Sequence, residues 1–138
     1  MAEEPNEYLA RSNVAVAFDK MGQLFWASGD NVKPLEHYRR ALAIRQKLSA
    51  DYPNNVEARV NLALARAKIG EAFAALASQE KIPARKRIER WREARAWFQR
   101  SLDVFLEMQT RGALSPANAG EMERVKKELS RCDVEISH

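Results

Sequence analysis

Cysteine is almost missing from this chain of 138 residues: Cys132 stands alone. No internal disulfide can be drawn, and the fold needs no oxidising compartment. Glycine and proline number five each, so few positions interrupt a helix, and almost no sheet is expected. Histidine occurs only as His37 and His138. Neither stands at metal-ligand spacing from Cys132, and no Ser, Cys or carboxylate constellation surrounds them, which argues against a metal site, a cofactor or a catalytic nucleophile. No apolar run approaches the roughly 18 residues of a membrane span, and the opening Met-Ala-Glu-Glu carries acids where a secretory signal carries positive charge. A protein that inserts in no membrane and works in the cytoplasm is expected.

What is present is helical material. The chain is 46% apolar and 30% charged, with abundant Ala, Leu, Arg, Glu and Lys and a net charge of +4, the balance of a globular domain. The basic excess suits an acidic partner, but solubility explains it equally well.

An internal repeat organises the chain. Ala10 to Gly22 and Ala58 to Gly70 share seven of thirteen residues at an offset of 48. Tyr38-Arg-Arg-Ala-Leu-Ala-Ile44 resembles Phe98-Gln-Arg-Ser-Leu-Asp-Val104 at an offset of 60. The difference of twelve predicts an insertion in the second unit, near 78–90, where Ser78-Gln-Glu-Lys-Ile-Pro83 breaks the pattern. Repeated supersecondary units of this kind stack to bury one another's apolar faces.

Apolar spacing predicts a helical hairpin in each unit. In repeat 1, about 7–50, Leu9, Val14, Phe18, Met21 and Phe25 mark a helix closed by Gly29. Leu35, Tyr38, Leu42, Ile44 and Leu48 mark the return helix, with Pro34 in its first turn. Repeat 2, about 54–111, holds one helix from Val56 to about Ser78 and a longer one from about Pro83 to Thr110. Ser115-Pro116 then opens a last helix to about Ile136, whose few apolar residues, Met122, Val125, Leu129 and Cys132, mark it as a cap. The expected fold class is all-α: antiparallel hairpins in a right-handed superhelix, with a C-terminal capping helix, as one domain.

The placing of bulky, small and aromatic residues, Met21-Gly22 with Phe25 and Ile69-Gly70 with Phe73, then Tyr38 with Ala41 and Ala94 with Phe98 and Ser101, resembles the tetratricopeptide repeat. Pro34 departs from the pattern, which has a small residue there. The length of the repeat, and the segment from Tyr38 to Leu48 followed by Asp51-Tyr-Pro, are similar to the long subtype of kinesin light chains. Glu93 to Leu102, Arg111-Gly-Ala-Leu and Arg131-Cys-Asp resemble the end of repeat arrays that follow a serine/threonine kinase domain in bacterial signalling proteins. The chain itself has no glycine-rich loop, no His-Arg-Asp and no Asp-Phe-Gly.

The resemblance implies a protein-interaction scaffold that takes a peptide or helix in a concave groove lined by the first helix of each repeat. It puts Asn13, Asp19, Gln23 and Trp26, with Asn61, Lys68 and Glu71, near that groove. The repeated Asn13 and Asn61 either clamp a ligand backbone or tie neighbouring helices. Trp26 either anchors a ligand side chain or packs beneath the terminal helix, whereas Trp91 and Trp97 are expected in the core. From Lys81 to Arg95 seven basic residues face two acids. Arg85, Lys86, Arg87, Arg90 and Arg92 form either a patch for an acidic partner or a solvated face of Arg–Glu pairs, and the absence of an aromatic platform argues against nucleic acid. Self-association through open apolar repeat ends is the remaining reading.

Overall fold

In a computed structural model, residues 5–30, 32–79 and 81–137 are described. The opening Met-Ala-Glu-Glu and His138, both used above, lie outside them. Five helices make up the described fold, with no strand among these residues: α1 (Pro5–Ala27), α2 (Lys33–Asp51), α3 (Val56–Ala77), α4 (Ala84–Thr110) and α5 (Pro116–Ser137). The fold is all-α, and each expected helix boundary falls within about two residues of the observed one.

The punctuation works as local chemistry requires. Gly29 adopts φ +90, which lets its N–H reach the Trp26 carbonyl and the Asp30 N–H reach the Phe25 carbonyl, 3.1 and 3.0 Å away. This left-handed closure satisfies carbonyls that α1 leaves open. Gly112, at φ +68, closes α4 in the same way on Gln109 and Met108. Asp30 then starts α2: its Oδ1 accepts the N–H groups of Val32 and Lys33 at 2.9 and 3.0 Å. Those bonds, first that from Lys33, hold its carboxyl below the usual range. Pro34 follows in the first turn, where its missing N–H costs nothing. Asn55 caps α3 through the Ala58 N–H, and Ser115 caps α5 through the Asn118 N–H.

The chain divides into two compact units, 1–65 and 66–138. In the first, α1 and α2 run antiparallel, tied at one end by Arg11–Asp51 and near the middle by Arg45–Asp19. The packed stripe of α1 is not the expected one. Leu9, Val14 and Met21 are exposed, and Ala15, Asp19 and Gly22 face inward. Small residues win that face because they let α2 come close: a Cβ on Gly22 would stand 2.6 Å from Cε1 of Tyr38.

In the second unit α3 and α4 are antiparallel, and the close approach recurs with Gly70 against Phe98 at 3.0 Å. The two pairings found in the sequence, at offsets 48 and 60, therefore describe the same contact in each hairpin. Helix α5 packs on α4, burying Met122, Val125, Leu129 and Cys132. Trp91 is buried as expected, but Trp97 is only half-buried, its ring covered by the Arg100 guanidinium at 4.6 Å. From Ala58 to Ala77 the residues of α3 are buried or half-buried, its charges Arg59, Arg66, Lys68 and Glu71 among the half-buried ones.

Candidate functional site

The first-unit candidates separate onto two sides of α1. Asn13 and Gln23 are exposed and lie on the face opposite α2, together with Leu9, Val16 and Leu24, which are 58%, 39% and 71% exposed. Lys20 is exposed on that face too. Asp19 is not part of it. Its carboxylate is buried against Arg45 at 2.6 Å, each side chain 11% exposed, so it is a strut between α1 and α2, not a groove residue. Its i+7 neighbour Trp26 lies on the same inner side and is half-buried.

The two repeated asparagines do not share an environment, since Asn13 is exposed and Asn61 half-buried. What the outward face of α1 offers is three apolar side chains, two amides and the Lys20 ammonium. Apolar anchors with a few placed hydrogen-bonding groups are what recognition surfaces are made of.

In the second unit Lys68 and Glu71 are half-buried one turn apart on α3. Glu71 borders a cleft of about 360 Å³ between α3 and α5, lined also by Ser78, Arg124, Glu128 and Arg131. Arg124 donates to Glu71 at 2.8 Å and stands 3.8 Å from Glu121. Arg131 approaches Glu128 at 3.8 Å and lies over the Trp91 ring at 5.1 Å. Burial raises the Glu71 carboxyl above its usual range, against the pull of Arg124. Sequence reading missed the α5 half of this cleft. The signal was there in Arg124 and Arg131, seven residues apart on a helix read only as a cap.

The basic segment is neither a single patch nor fully open. Arg85, Lys86, Arg87 and Arg92 are exposed, but Glu89 and Glu93 are interspersed on the same solvated side, and Arg85 approaches Glu89 at 3.6 Å. Arg90 is half-buried and donates to the Leu76 carbonyl at 3.3 Å, closing the end of α3.

Cys132 is fully buried, and burial pushes its thiol up to about 11. Among the described residues no group of three His, Cys, Asp or Glu is placed to hold a metal ion, and no helix is long and apolar enough to cross a membrane. Compared with known proteins, the chain matches no family model, no curated sequence and no solved structure.

Proposed function

We propose that the chain is a non-catalytic protein-interaction module of the tetratricopeptide kind, which binds a peptide or helix of another protein on the outward face of α1. One observation carries this reading: Leu9, Val16 and Leu24 stand exposed beside Asn13 and Gln23, on a helix that turns Arg11 and Asp19 inward to pair with α2. On the outward face Lys20 stands among apolar side chains and amides, whereas a merely solvated helix is predominantly charged there. The rigid hairpin behind the face lowers the ordering cost of binding. The resemblance described above suggests the end of an array in a cytoplasmic signalling protein as the setting.

The test is capture from nuclease-treated lysate of the source, comparing the native chain with Leu9→Ser, Val16→Ser, Leu24→Ser and, separately, Arg85→Ala, Lys86→Ala, Arg92→Ala. A partner held by the native chain and lost only with the first variant supports the α1 face. Loss only with the second replaces it by an acidic partner on the basic segment. A rise of sedimentation coefficient with concentration would make the partner a second copy.

A further inference from the structure

A different edge of the α1/α2 hairpin carries a second pattern. Lys33, Arg40 and Lys47 recur at every seventh residue of α2, two turns and about 10 Å apart. They run in register along α1. Lys33 Nζ lies 4.9 Å from the centre of the Phe25 ring and the Arg40 guanidinium 5.8 Å from that of Phe18. Lys47, with Arg11, borders a groove of about 330 Å³ whose floor is Val14, Ala43 and Ile44. Val14 and Met21, two turns apart on α1, are 49% and 43% exposed beside this row.

Cations on a merely solvated helix pair with carboxylates a turn away, as Arg85 does with Glu89, Arg111 with Glu107 and Lys126 with Glu123. The three of this row are in no ion pair among the described residues, beyond the pull of Lys33 on the capping Asp30. Helix α2 has only two carboxylates, Glu36 and Asp51, and Asp51 is taken by Arg11 at 2.9 Å.

We propose that this edge docks an amphipathic helix bearing a carboxylate at every seventh position beside an apolar stripe. The stripe fills the groove over Val14, Ala43 and Ile44, and the carboxylates meet Lys33, Arg40 and Lys47. The spacing selects the partner: cations two helical turns apart match a helix, whereas side chains on one face of an extended strand repeat about every 7 Å. The apolar floor of the groove beside Lys47 and Arg11 suits the apolar stripe of a helix better than a nucleic acid backbone. The surface is separate from the outward face of α1, since Leu9, Val16 and Leu24 take no part in it.

The test uses two labelled synthetic helices with a leucine stripe, one with glutamate and one with lysine at every seventh position, titrated by fluorescence anisotropy against the full chain. The glutamate helix is expected to bind and the lysine helix not. Arg40→Glu should weaken the glutamate helix about tenfold or more and admit the lysine helix. Ala43→Trp, which fills the groove without altering charge, should also block binding. Arg40 and Ala43 are exposed, so both variants should keep their helicity, checked by circular dichroism. Leu24→Ser should leave binding unchanged, which separates this site from the α1 face. Equal binding of both helices, no binding of either, or indifference to Arg40→Glu and Ala43→Trp would overturn the proposal. Concentration-dependent self-association abolished by the same two variants would also overturn it, by making the occupant a second copy.

Discussion

Replacing Gly22 with alanine sets two effects of similar size against each other, and the structure decides between them. Alanine is favoured over glycine in a helix interior by about 1 kcal/mol. The new methyl, however, would stand 2.6 and 2.9 Å from Cε1 and Cδ1 of Tyr38, where carbon atoms normally rest about 3.5–4.0 Å apart. The Tyr38 ring is 8% exposed and must withdraw by roughly 1 Å through close-packed neighbours, an overpacking that costs about 1–3 kcal/mol. The net expectation is a loss of up to about 2 kcal/mol. At Gly70 the contacts with Phe98 are 3.0 and 3.1 Å, so a few tenths of an ångström suffice and the change should lie near zero. Urea unfolding followed by circular dichroism reads both, as a shift of midpoint at constant slope. Relieving the clash with Tyr38→Leu in the Gly22→Ala background should show coupling of about 1 kcal/mol in a double-mutant cycle. A Gly22→Ala protein more stable than the parent by about 1 kcal/mol would refute the close approach of α1 and α2.

Three further outcomes follow from the same geometry. Asp19→Ala leaves Arg45 buried without its carboxylate and should cost about 3–5 kcal/mol, while Asp51→Ala, at the more open bridge to Arg11, should cost under about 1 kcal/mol; thermal unfolding of the two variants compares them. The raised Glu71 carboxyl contributes stability that is full below the usual value of 4.5 and is lost as pH rises through the raised one. Glu71→Gln should therefore flatten the fall of the urea midpoint above that pH and cost nothing near neutrality. For Cys132, displacement of the thiol from 9.0 to about 11 leaves roughly a hundredfold less thiolate at mildly alkaline pH, so iodoacetamide should label the native chain far more slowly than the urea-unfolded one.

Helix positions and ends were legible because each is governed by local chemistry: Gly29 closes α1, Pro34 enters α2, and Ser115 caps α5. The hairpin repeat was legible because glycine opposite an aromatic is a pair of matched necessities, and Gly22–Tyr38 and Gly70–Phe98 meet as the offsets required. The inner face of α1 was not. Large apolar residues normally mark the core, but here Ala15, Asp19 and Gly22 face α2 while Leu9, Val14 and Met21 remain outside. Close helix approach selects small residues, and hydropathy spacing does not register them. Asp19 was put near the groove by the resemblance, whereas its partner Arg45, 26 residues away, holds it between α1 and α2. The place of Arg124 and Arg131 in the cleft was not legible, because the cleft needs α3 and α5 together.

The most direct test of partner binding on the outward face of α1 is site-specific photo-crosslinking with a benzophenone side chain at Gln23, Arg92 or Lys127, all exposed positions, in lysate of the source. A covalent adduct with one protein from position 23, and none from 92 or 127, is the predicted result. An adduct from 92 alone, or equal yields at all three positions, would contradict it.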